Sequence, residues 1–179
     1  MKRFALGEFG SQLWTREKAK EIRAKLIAVI ESSSPGETIV VDLAGVEVFD
    51  YSFANELFGK TIHTRHSEWP DRLLVIENLT TYTRENLGKA LESLGLATIE
   101  RSGRKMQLLG KSHPVDAETL AEIVAEGGPT SATSLSKRLG IGLTAMNERL
   151  SKLVDLGLVL RAKATSTAGR EQFMYSAPR

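Results

Sequence analysis

The run Thr38-Ile-Val-Val-Asp-Leu43 limits the possible folds more than any other segment of this chain. It is too short for a stable helix, and its β-branched residues follow one another without polar alternation. Such a segment reads as a strand buried on both faces. Arg72-Leu-Leu-Val-Ile-Glu77 is a second run of the same kind. Two such strands, separated by a helix-length segment, call for a sheet that is covered on both sides.

The surrounding segments supply strands and helices in alternation. Arg3-Phe-Ala-Leu is a strand candidate, followed by a Gly10-Ser11 break. Thr15 stands at an N-cap position with Glu17 in the first turn. Beyond it Ala19, Ile22, Leu26, Val29 and Ile30 recur at steps of three and four, while Lys18, Glu21, Lys25 and Glu31 face water. Ser32-Ser-Ser-Pro-Gly36 ends that helix. A second helix pattern begins near Tyr51, and a third runs from about Thr83 to Leu94, with Thr83 or Thr80 as its cap. Ala97 to Arg101 and Lys105 to Leu109 read as strands around a Ser102-Gly103 turn. Residues 1–110 are therefore expected to form a small α/β domain with a mixed sheet.

Within it, the stretch Ile39-Val-Val-Asp-Leu-Ala-Gly-Val-Glu-Val-Phe-Asp-Tyr-Ser-Phe-Ala-Asn-Glu-Leu resembles the central strand, loop and helix start of STAS-like domains. It is closest to the bacterial STAS-like family of unknown function, and the specific motif spans Val40 to Phe58. The resemblance implies a signalling or interaction domain. In the related anti-sigma-factor antagonists an Asp-Ser-Ser-Gly sequence opens this helix, and a partner kinase phosphorylates the first serine. Here Asp50 matches the aspartate, Tyr51 stands at the phosphoacceptor, Ser52 at the second serine and Phe53 where glycine belongs. Asp50, Tyr51 and Ser52 are thus candidates for phosphorylation or partner docking, with plain helix capping by Asp50 or Ser52 as the alternative. The partners implied are a kinase-like ATPase or an anti-sigma factor.

Catalysis is not expected. His63 and His66 are spaced for one helical face, but no acidic cluster at ligand spacing accompanies them, and they read as solvated residues near a helix end. Asp42 lies at a strand end, and it and Asp50 have no nucleophile, base or glycine-rich phosphate loop nearby in sequence. Neither a cofactor nor a metal is implied.

The last third has a different grammar. Pro114 fits just before or at the first turn of a helix, where Asp116 and Glu118 favour the positive end, with Leu120, Ile123 and Val124 as the apolar face. Gly127-Gly-Pro129 stops it. Ser131 or Thr133 caps a short second helix, with Leu135 and Leu139 inward and Lys137 and Arg138 exposed. Gly140 supplies a tight turn, and a third helix follows with Met146, Leu150, Leu153 and Val154 on its buried side. After Gly157, Leu158–Lys163 and Glu171–Ser176 read as an antiparallel pair joined by a tip that ends in Arg170.

From Leu135 to Val159 the chain resembles the winged helix-turn-helix of MarR- and ArsR-type bacterial regulators. The expected fold class is thus an α/β STAS-like domain over 1–110 plus an α+β winged helix over 111–179. The resemblance implies double-stranded DNA as a partner and a homodimer as the reading unit. It makes Thr144 and Asn147 base readers, with Glu148 and Ser151 beside them on the outer face. It makes Lys137, Arg138, Arg149 and Lys152 phosphate contacts, and Arg170 a wing residue at the minor groove or backbone.

Charge permits this role without requiring it. The net charge is +2, residues up to Gly110 being balanced at 15 basic and 15 acidic, the remainder carrying 9 basic against 7 acidic. The absence of cysteine and of any apolar run long enough for a membrane span or signal core leads to the expectation of a cytoplasmic protein without membrane contact. The leading reading is a transcriptional regulator governed through its STAS-like half. The alternative is a partner-switching adaptor in which both halves bind proteins.

Overall fold

A computed structural model describes residues 1–165 and 169–179. The chain begins with β1 (Lys2–Ala5), a single 3-10 turn and the two-residue β2 (Gln12–Leu13). Thr15 then caps α1 (Arg16–Glu31) by accepting the Lys18 amide at 3.3 Å. β3 (Thr38–Asp42) and β4 (Val48–Phe49) lead into α2 (Tyr51–Ala54), which continues through a π-helical turn at Asn55–Gly59 into α3 (Lys60–Glu68). β5 (Leu73–Glu77), α4 (Thr81–Ser93), β6 (Ala97–Ser102) and β7 (Lys105–Gly110) follow.

Five of these strands form one mixed sheet in the order β1-β3-β5-β6-β7, parallel up to β6, with β7 returning antiparallel as a hairpin. The mixed α/β class expected for this part is therefore present. Because the order advances in one direction, crossovers of one hand stack their helices on one face. Accordingly Ile22, Leu26 and Ile30 of α1, Phe53 of α2 and Leu87 and Leu91 of α4 all pack with Ile39, Val41, Leu74 and Ile76. The π-helical turn sits in this layer. There Gly59 lets α4 approach, since a Cβ would lie 2.6 Å from Leu94 Cδ1.

One-sided stacking leaves the opposite face of the sheet bare, and the remaining residues cover it. α5 (Pro114–Glu126), β8 (Thr130–Ser131), α6 (Ala132–Leu139), α7 (Leu143–Asp155), β9 (Leu160–Thr165) and β10 (Glu171–Ser176) build a three-helix unit with a β8-β10-β9 sheet. Leu120, Ile123, Leu135, Met146, Leu150 and Leu153 pack with Val75, Ala97 and Ile99 of the first sheet in a single apolar cluster. Burying one valine or isoleucine there is worth about 1.5–3 kcal/mol. The two halves consequently share a core, and the Arg179 amide adds a 3.2 Å bond to Thr38 Oγ1 on β3. No helix of the described residues is long and apolar enough to cross a membrane.

Candidate nucleic-acid interface

The region around α7 is built by local rules that the sequence carries openly. Ser131 caps α6 by accepting the Ser134 amide at 3.2 Å. Gly140 takes the left-handed conformation (φ 64°) that closes α6, and Ser136 Oγ donates to Ile141 O at 2.6 Å to pin the turn. α7 then buries Met146, Leu150 and Leu153 and turns the rest of its surface outward.

Thr144, Asn147, Glu148, Ser151 and Lys152 all fall on that outward surface, lining an open groove of 630 Å³ that ends at Asp155 and Leu156. Thr144, Asn147, Glu148 and Ser151, the outer-face residues expected here, are thus brought together, and Lys152, expected as a phosphate contact, stands beside them. Leu143, at the entry to α7, is 47% exposed.

The expected phosphate contacts present a different picture, because α5 carries a row of carboxylates against them. Lys152 Nζ lies 2.6 Å from Asp116 Oδ2, and Arg149 Nη1 lies 2.9 Å from Glu118 Oε2. Arg138 pairs with Glu126 and stands 3.6 Å from Glu122. Lys137 is exposed on α6. Glu148 and Asp155 add negative charge to the groove itself. The sequence reading missed these pairs, although the four-residue spacing of Glu118, Glu122 and Glu126 was a signal that one face of α5 is acidic.

The β9–β10 ribbon contributes a basic, aromatic surface. Arg161 lies over the Phe173 ring at 4.7 Å from its centroid, and Lys163 stands opposite Phe173 in the ladder. Phe173 itself is 43% exposed. Arg170 immediately precedes β10, while residues 166–168 of the expected tip lie outside the described residues.

At the other candidate site, Asp50 caps α2, its Oδ1 accepting the Phe53 amide at 2.6 Å. Tyr51 is 40% exposed, and its hydroxyl is 2.7 Å from Ser93 Oγ at the end of α4. Ser52 is half-buried in the first turn of the helix. Of the two capping residues the sequence offered, Asp50 holds the cap.

Two further residues acquire partners that sequence did not assign. His66 is exposed yet not simply solvated: its Nδ1 is 2.9 Å from Asp155 O, so the ring donates to the end of α7. Asp42 joins a charged ladder at the strand ends. Burial alone would raise its pKa, but Asn78, the Ala44 amide and Arg3 together hold the carboxyl below its ordinary value.

Residues 18–84 match the family model described as a STAS-like domain of unknown function (DUF4325). The match runs from α1 into α4 and includes the Asp50–Ser52 corner. A STAS-like domain is therefore present in the first half. One solved structure, a possible transcriptional regulator from Methanosarcina mazei Go1, is 16% identical over 38% of this chain and 57% of its own, with a TM-score of 0.35. No curated protein matches.

Proposed function

We propose that this chain is a DNA-binding transcriptional regulator, in which residues 111–179 act as a winged helix-turn-helix and the STAS-like half relays a signal by contact with another protein. The observation that carries the reading is the outward face of α7. Thr144, Asn147 and Ser151 line one open groove there, on a helix that follows a glycine turn and precedes an antiparallel ribbon. Short polar side chains on such a face suit base edges in the major groove. In this reading Lys137 contacts phosphate, and Arg161, Lys163 and Arg170 place cations along the ribbon. The protein is non-catalytic and reads its operator as a homodimer.

The shared core supports the relay. α7 and the first sheet bury side chains in the same cluster, so a change in the STAS-like half has a packed route to the DNA-reading helix.

A second reading, the partner-switching adaptor, draws on one specific observation. Three of the expected phosphate contacts are already paired with α5, and Glu148 and Asp155 leave the groove acidic. In that reading α7 binds a protein, and the helix opened by Asp50, Tyr51 and Ser52 docks a kinase-like ATPase or an anti-sigma factor.

Fluorescence titration with random-sequence duplexes at several salt concentrations separates the two. The regulator reading expects affinity to fall as salt rises and a subset of sequences to be enriched on selection. No binding at low salt, or binding indifferent to salt and to sequence, would favour the adaptor.

A further inference from the structure

Arg65 is the only buried lysine or arginine among the described residues, at 2% exposure. Its Nη1 donates to Arg72 O at 3.0 Å, and no carboxylate pairs with it among those residues. Desolvation accordingly lowers its pKa from the ordinary arginine value, though a guanidinium stays charged. Its terminal atoms rest against the left-handed turn at Gly157 that closes α7, where the helix carbonyls offset part of the charge. A buried cation without an anion is costly, and a good counterion recovers that cost.

Space for one exists beside it. A cavity of 310 Å³ opens between α3 and the end of α7, with Arg65 in its wall. Ile62, Leu96 and Leu156 make the wall aliphatic, and His63, His66 and Asp155 stand around it. The volume is at the lower end of the range for small-ligand pockets.

We infer that this cavity binds a small organic monoanion, with its carboxylate on Arg65 and its apolar body against Ile62, Leu96 and Leu156. The guanidinium meets a carboxylate through two parallel donors, which fixes orientation as well as charge. The aliphatic wall selects an apolar body over a sugar or a bare inorganic ion. Asp155 repels a second negative charge, so a monoanion is preferred to phosphate. Because the same guanidinium packs against Gly157 in the turn that closes α7, an occupant acts directly on that helix end, whatever α7 itself contacts.

The test uses the full-length protein without nucleic acid, titrated with benzoate, benzamide and inorganic phosphate by calorimetry and by methyl chemical shifts. The expected result is saturable benzoate binding that shifts the Ile62, Leu96 and Leu156 methyls, with benzamide and phosphate weaker by about tenfold or more, the loss of one charge-assisted contact. Arg65→Met and Leu156→Phe each abolish it, the second by filling the cavity while leaving the cation in place. Absence of saturable benzoate binding overturns the proposal, as does equal affinity for benzamide or full binding by a folded Leu156→Phe protein.

Discussion

Lys152 Nζ and the His113 amide share one acceptor, Asp116 Oδ2, at 2.6 and 2.8 Å. Asp116 is 1% exposed, so a single buried oxygen both caps α5 and anchors α7 against it. Lysine, by contrast, is half-exposed, which softens its share of the pair. Lys152→Ala is predicted to lower stability by about 1 kcal/mol. Asp116→Ala removes the cap and the ion pair together and is predicted to cost about 2–3 kcal/mol. Urea midpoints of the two variants check the order, and a Lys152→Ala protein as stable as the parent shows that the pair holds nothing.

Gly157 ties α7 to α3 in a way that one substitution exposes. Its φ is 71°, and a Cβ added there would lie 1.5 Å from Arg65 Nη2. Gly157→Ala therefore meets two penalties: about 1 kcal/mol for a non-glycine residue in the left-handed region, and the displacement of a packed guanidinium. A total loss of about 2–4 kcal/mol is predicted. With Arg65→Ala in the background the steric part disappears and the backbone part remains. A double-mutant cycle in urea measures the difference, and strictly additive losses contradict the contact.

Acid sensitivity should trace to Glu100. The Arg84 guanidinium forks onto its carboxylate and, with Gln107, holds its pKa below the ordinary glutamate value against the opposing effect of burial. A carboxyl depressed in the folded state contributes stability that is fully present above the unfolded value of about 4.3 and is lost as pH falls through the folded value. Asp42, held low at the neighbouring strand ends, adds to the same trend. Arg84→Gln is predicted to weaken the protein at neutral pH and to flatten the decline below about pH 4.5. Urea midpoints at pH 7, 4 and 3 check it. A parallel fall in parent and variant assigns the acid loss elsewhere.

Much of this architecture was legible because it rests on local signals. The uninterrupted apolar run at Thr38 announced a strand with two buried faces, and Ile39, Val40 and Val41 are each fully buried. Thr80 and Thr83, offered as alternative caps, act together: Thr80 Oγ1 accepts the Thr83 amide while Thr83 Oγ1 accepts the Thr80 amide. Pro114 marked where a helix starts, and it is the first residue of α5, with His113 in the cap position. What stayed hidden depends on packing between distant elements. Nothing near Val75 or Ile99 in sequence says that α5 and α7 cover them. Nothing near Arg149 says that its charge is spent on Glu118, 31 residues away. The π-helical turn at Asn55–Gly59 has no local signature beyond Gly59, whose missing side chain admits Leu94, the residue that follows α4.

Three substitutions on and beside α7 separate the roles proposed for it. Asn147 lines the outward groove, where an amide reading an adenine edge discriminates by about 1–3 kcal/mol. Asn147→Ala is therefore predicted to weaken binding to a selected duplex about tenfold or more while leaving random DNA nearly unchanged. Lys137, exposed on α6, carries no sequence information in this scheme. Lys137→Ala is predicted to weaken all duplexes alike and to reduce the slope of log affinity against log salt by about 0.9. Glu148 places a negative charge in the same groove, so Glu148→Gln is predicted to tighten binding to every sequence by a few tenths to about 1 kcal/mol, most at low salt. Titrations of the three proteins against one selected and one random duplex decide the matter. If Asn147→Ala lowers both affinities by the same factor, Asn147 holds DNA without reading bases; if it changes neither, the acidic groove of α7 belongs to a protein partner.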